Sequence, residues 1–238
     1  MKDQYFGDIN DYRKYGLLRA LAAGGEFPIA VCWMLTPSDG SSDGRFVEYL
    51  SDPGDFWDLD PPLYDFLQDA VLREGDRRVA VLEGTDLIPG ARYWSALTPD
   101  GALARRRFFD EFTAFASGAS LVFFDPDNGM EVPSVPFGLR NSNKYLYWSE
   151  AQRTYDRGHS LLVYQHFPRV ERRNYTRSRA ASFADRCPGS GVTSLSTSRV
   201  VFFLVAQPEH GAALTSALAR IEERWSSQVS VQTHAFPG

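Results

Sequence analysis

Four short stretches of the chain carry residue types able to do chemistry. The first is Leu121-Val122-Phe123-Phe124-Asp125-Pro126-Asp127-Asn128-Gly129, an apolar run that ends in two acids and an amide. A buried strand with that ending delivers hydrogen-bonding groups to the mouth of a sheet. Asp125 and Asp127 can ligate Mg²⁺, or one of them can accept a proton from an amine while Pro126 fixes the backbone. Together with Asn128 they are also good turn formers, and turn and site do not exclude each other. The second stretch, Tyr164-Gln165-His166-Phe167-Pro168-Arg169, follows another apolar run, so Gln165 and His166 can face the same crevice as Asp125. A lone histidine serves equally well as a satisfied structural residue. The third, residues 5–15, holds Asp8, Asp11 and Lys14. Either acid can cap a helix. Asp11 and Lys14, three apart, can pair across a turn, or Lys14 can touch a ligand. The fourth, residues 36–45, contains Asp39-Gly40 and Asp43-Gly44. Small residues there let backbone N–H groups approach a ligand, and both pairs are also turn signals.

Charge points to an anionic partner. The formal net charge of −5 hides an acidic first half, with 12 Lys/Arg against 20 Asp/Glu in residues 1–120, and a mildly basic second half. Arg153, Arg157, Arg169, Arg172, Arg173, Arg177 and Arg179 form the basic stretch, with only Asp156 and Glu171 among them. Phosphates of RNA or DNA are the expected contacts through Arg153–Arg179, against the plainer reading of a solvated basic loop. The four histidines and the isolated Cys32 and Cys187 stand at no ligand spacing, so neither a zinc-type site nor a disulfide framework is expected. No apolar run approaches the ~18–20 residues that cross a bilayer, and the first residues are too polar for a signal peptide. No membrane contact is expected, and the expected compartment is the cytoplasm.

These residues need elements to hold them. Hydrophobic periodicity predicts helices over 11–22, 61–72, 103–116, 143–155 and 212–225, and strands over 28–35, 78–82, 120–124, 160–164, 199–206 and 229–234. Strands apolar along their whole length and separated by helices predict an α/β sheet covered on both faces. The expectation is about seven strands, mostly parallel, with the strand ending at Phe124 central and the last strand antiparallel near an edge. With 238 residues the chain reads as a single α/β domain over 1–238, carrying a basic loop or helical insertion around 167–195.

The chain resembles the class I S-adenosylmethionine-dependent methyltransferases, and within them the large-subunit ribosomal RNA adenine-N6 methyltransferases of the RlmJ type. Gly7-Asp8-Ile9-Asn10-Asp11-Tyr12-Arg13-Lys14-Tyr15 is similar to that family's opening Gly-Asn-x-x-Asp-x-x-Lys-His. Trp33 to Thr36, leading into residues 39–44, is similar to its Asp-Thr-His-Ala-Gly-x-Gly loop. Asp58-Leu59-Asp60-Pro61 resembles its Glu-Leu-His-Pro segment, and Asp125-Pro126-Asp127-Asn128 resembles its Asp-Pro-Pro-Tyr. The resemblance implies a Rossmann-like methyltransferase sheet and S-adenosyl-L-methionine as cofactor. It implies a cofactor pocket at Lys14, Asp39, Gly40, Gly44, Asp58 or Asp60, Glu83 and Pro126. It also implies catalysis at Asp125, which we extend to Asp127, Asn128 and His166, with substrate contacts at Lys144, Gln165, Arg169, Arg172 and Arg173.

The leading expectation is a methyltransferase-like enzyme acting on nucleic acid or another anionic substrate. One alternative is a Mg²⁺-dependent nuclease or phosphotransferase using Asp125 and Asp127, with Glu150 and Lys144 assisting. The other is a non-catalytic binding module that keeps the fold.

Overall fold

Along the short strands of the chain, successive apolar side chains leave the backbone on opposite sides, and this sorts the core into two layers. Ile29, Val31, Leu121, Phe123 and Leu162 pack into one cluster, whereas Ala30, Cys32, Val122, Phe124, Leu161 and Val163 pack into the other. The computed structural model describes residues 1–23, 27–38, 40 and 44–236. Its strands are β1 (Ile29–Cys32), β2 (Arg92–Trp94), β3 (Leu121–Phe124), β4 (Gly129–Met130), β5 (Tyr145–Leu146), β6 (Ser160–His166), β7 (Gly191–Ser196), β8 (Val200–Ala206) and β9 (Ser230–His234). Its helices are α1 (Ile9–Ala22), α2 (Phe56–Leu59), α3 (Pro61–Gln68), α4 (Val79–Glu83), α5 (Ala102–Phe115), α6 (Trp148–Tyr155), α7 (Arg172–Arg186) and α8 (Gly211–Trp225).

Seven strands form one sheet in the order β2-β1-β3-β6-β8-β7-β9, and β4 with β5 makes a separate two-stranded pair. The strands β2, β1, β3 and β6 are mutually parallel. β8 runs antiparallel between β6 and β7, and β9 is antiparallel to β7 at the edge. The fold is therefore α/β, with a mostly parallel sheet whose last strand is antiparallel. One face is covered by α1, α3, α4 and α8, and the other by α5, α6 and α7. Gly16 allows α1 and α8 to approach, because a Cβ there would fall 2.1 Å from the Trp225 ring.

Several elements differ from expectation. Residues 78–82 form no strand. Val79 and Leu82, three apart, bury one side of the short helix α4 instead. The helix expected from residue 143 begins at Trp148, where Glu150 accepts the Tyr147 N–H at 2.9 Å and so fixes its start; β5 lies just before it. The strands β2 and β7 had no sequence signal. β2 is a half-exposed edge strand, and the serines and threonine of β7 disguise a buried one. The basic segment 167–195 holds helix α7, and its last residues belong to β7. The strand ending at Phe124 is interior, between β1 and β6, but the middle place of the seven belongs to β6.

Candidate active site

Register brings three strand ends together. Cys32 pairs with Phe124 and Phe124 with Val163, so β1, β3 and β6 discharge their carboxyl ends at one edge of the sheet. The chain runs outward from β1 to β2 on one side and from β3 to β6 on the other. This is the switch point where open α/β sheets form a crevice. A cavity of about 730 Å³ opens there, within the usual range for small-molecule sites.

Its floor is ionic. The Lys14 ammonium donates to Asp11 Oδ1 and to Asp125 Oδ2, each at 2.6 Å, and all three side chains are buried. Tyr15 adds a hydroxyl donated to Asp11 Oδ2 at 3.0 Å. Burial alone depresses the Lys14 ammonium, but the two carboxylates outweigh it and hold the pKa above its ordinary value. Burial pushes Asp11 up to about 6, against the pull of Lys14. Asp127 takes a different cation. Its Oδ1 lies 2.6 Å from the Met1 amine, and its Oδ2 accepts the Thr36 hydroxyl at 2.5 Å. Burial raises the Asp127 carboxyl, yet that amine and Thr36 bring it below its usual range. Asp8 caps α1 by accepting the Asn10 N–H at 2.7 Å, which leaves Asp11 free for Lys14.

The loop after β3 is held from β6. Gln165 accepts the Met130 N–H at 2.8 Å and donates to the carbonyls of Asn128 and His166. Gly129 has φ of +93°, and a Cβ there would sit 2.4 Å from the Gln165 amide. Only glycine allows the chain to pass so close. Asn128 donates its N–H to Lys144 O at 2.9 Å, which ties the loop to β5. Aromatic walls complete the cavity, with Tyr5, Phe46, Tyr145, Tyr164, Phe167 and Tyr175 on its lining. Tyr164, buried beside Asp125, is held as a neutral phenol, since burial and that carboxylate both raise its pKa. Its hydroxyl lies 3.2 Å from His166 Nε2. Desolvation lowers the His166 pKa, so its imidazole is neutral at physiological pH.

Of the residues singled out in sequence, Lys14, Gly44, Asp125, Pro126, Asp127, Asn128, Gln165 and His166 share this crevice. Others are elsewhere. Asp58 is exposed on α2, and Asp60 caps α3 while pairing with Arg19 at 2.7 Å. Glu83 accepts the indole N–H of Trp33 at 2.7 Å and the hydroxyl of Ser95 at 2.5 Å. None of these three acids borders the crevice; Asp60 and Glu83 are engaged in holding helices and strands together. Gly40 is exposed and outside it, and Asp39 lies outside the described residues. Lys144 contributes its carbonyl rather than its ammonium. Arg169, Arg172 and Arg173 are exposed beyond the rim, with Arg172 stacked over Phe167 at 5.2 Å. Glu150 is clamped by Arg105 at 2.6 and 2.9 Å, so the acids wanted for a Mg²⁺ site are not assembled. Among the described residues no three histidines, cysteines or acids are grouped as metal ligands would be.

Arg199 and Phe46 join the lining with no signal in the sequence, since the turn between β7 and β8 brings Arg199 there. Among the described residues, no helix is long and apolar enough to cross a membrane.

No family model matches the chain, and no curated protein matches it. A solved structure, protein LPL1258 from Legionella pneumophila, described under the family model DUF519, is similar over 96% of this chain and 97% of its own. The identity is 10% and the TM-score 0.45.

Proposed function

We propose that the chain is a methyltransferase-like enzyme that binds S-adenosyl-L-methionine in this crevice and acts on a nucleic acid or another anionic substrate. The observation that carries the reading is the convergence of Lys14 with the Asp125–Asn128 loop at the switch point of a mostly parallel sheet, under a rim bearing Arg179 and Arg199. The donor set suits a zwitterionic, cationic cofactor. The Lys14 trio carries a net negative charge, which with the Tyr164 ring favours a cationic centre, and the Tyr5 ring suits a planar base. The ribose has no acid from the Asp58–Asp60 stretch, so its hydroxyls fall to other groups. When bound, the cofactor supplies an electrophilic methyl group. The protein's part is orientation, exclusion of water and a place for the proton that the acceptor releases. His166, neutral and beside the Tyr164 hydroxyl, is the group best suited to take that proton.

One observation favours a binding module instead. The Asp125 and Asp127 carboxylates are each engaged by an ammonium, so neither is free to act as a base while those contacts persist. Calorimetric titration with S-adenosyl-L-methionine and S-adenosyl-L-homocysteine tests the main reading. Saturable binding of both is expected. No saturation up to about 1 mM, the upper end of usual enzyme affinities, removes it. Binding without methyl transfer to RNA, DNA or small anions favours the binding module.

A further inference from the structure

Most arginines with a carboxylate nearby are engaged by it. Arg19, Arg78, Arg105, Arg107 and Arg153 each lie 2.9 Å or less from an acid oxygen. Arg179 and Arg199 differ. Among the described residues neither forms an ion pair, and both line the crevice. They arrive from separate elements. Arg179 is half-buried on α7, whereas Arg199 is exposed in the β7–β8 turn, where Thr197 Oγ1 accepts its N–H at 3.1 Å.

Each guanidinium lies over a ring on the same rim. Arg199 is 4.2 Å from the Phe46 centroid, and Arg179 is 5.4 Å from that of Tyr175. Phe167 links the two. Its N–H donates to Arg199 O at 3.3 Å, and its ring is 6.2 Å from Tyr175. A guanidinium over a ring has five N–H donors, more than one neighbour uses, and two such groups suit an oxygen-rich dianion. Asp8 lies near enough to feel the charge of Arg199 but forms no ion pair with it.

We infer that Arg179 and Arg199 together hold a phosphate of the substrate at the rim, with the adjoining planar group entering beside Phe46 and Phe167. This rests on reading the crevice as the site for an anionic substrate, and it names the residues that select the anion.

The test is calorimetric titration of wild type, Arg179→Gln and Arg199→Gln with phenyl phosphate, phenol and single-stranded oligodeoxythymidylate. Both positions are solvent-accessible, and a thermal melt checks that each variant is folded. Phenyl phosphate is expected to bind wild type at least tenfold more tightly than phenol, and each variant to lose about tenfold or more, as for a lost charge-assisted hydrogen bond. If only the oligonucleotide binds, with the same arginine dependence, the assignment stands and the phosphate belongs to a nucleic-acid backbone. Equal affinity in wild type and both variants overturns the inference, as does no binding of either phosphate probe. S-adenosyl-L-methionine titrated into the same proteins separates the two readings. Its binding is expected to be unchanged by either substitution, and its absence in wild type counts against the cofactor alone.

Discussion

Lys14 and Asp125, 111 residues apart in sequence, meet at 2.6 Å with both side chains withdrawn from water. A buried ammonium between two buried carboxylates leaves a net negative charge, and no partner in the trio can be removed without exposing another. Loss of Lys14 is the most severe case. Lys14→Met leaves Asp11 and Asp125 facing each other without a cation, and about 3–5 kcal/mol of stability should go with it. Asp125→Asn keeps the shape and leaves Lys14 with Asp11, so about 2–3 kcal/mol is expected. Sequence alone makes that second change look harmless to folding, because a near-isosteric substitution at a strand end opens no cavity. The ion pair reverses that expectation. Urea unfolding of both variants checks the order; an Asp125→Asn protein as stable as wild type contradicts it.

Asp11, within the same trio, titrates. Burial raises the Asp11 pKa from 3.8 to about 6, so between those values the folded chain binds more protons at this site than the unfolded chain. Stability contributed by Asp11 therefore falls as pH rises through that window, by about 3 kcal/mol in all. Asparagine cannot titrate. The stability difference between wild type and Asp11→Asn should thus move in favour of the variant from pH 4 to pH 7. Urea midpoints of the two proteins across that range measure it, and a constant difference shows that Asp11 titrates as in water.

How much of this was readable beforehand depends on distance along the chain. Asp125, Asp127, Gln165 and His166 were legible because each directly follows an apolar run, and strand ends are where such sheets place their polar groups. The partnership of Lys14 with Asp125 was not, since nothing local encodes a contact between α1 and β3. Asp60 and Glu83 stood out only by resemblance, and their side chains serve a helix cap, Arg19 and the Trp33 indole instead. β7 escaped because Thr193 and Ser194, buried in the strand next to the edge, satisfy their hydroxyls on β9 and break the apolar pattern. Arg199 depends on that missed strand, so its place on the rim could not be seen either.

Gly129 and Gln165 should behave as one unit. Gly129→Ala imposes two costs, a side chain at φ +93° and a Cβ 2.4 Å from the Gln165 amide. The first is intrinsic to the backbone, and the second needs Gln165. Gly129→Ala is expected to cost about 2–3 kcal/mol, the range for strain at such positions. In a Gln165→Ala background the same change should cost about 1 kcal/mol less, because the clash is gone while the strain remains. Additive effects in the double-mutant cycle place the two residues out of contact.

Arg105 positions the far wall of the crevice without touching it. Its guanidinium is fully buried, pairs with both oxygens of Glu150 at 2.6 and 2.9 Å, and donates to the carbonyls of Ser142 and Tyr145 at 2.9 and 2.6 Å. Those carbonyls belong to the turn and strand that receive the Asn128 N–H through Lys144 O. Arg105→Met should cost about 3–5 kcal/mol, since it strands the Glu150 charge in the interior. Replacing Glu150 with methionine in the same protein removes that charge, and the double variant should be the more stable of the two. It still lacks the donors to Ser142 and Tyr145, so the Asn128 loop should remain loosened. Amide exchange at Asn128 reads this directly. It should be faster in the double variant than in wild type even where global stability is matched with urea, and equal protection would confine Arg105 to a purely local ion pair.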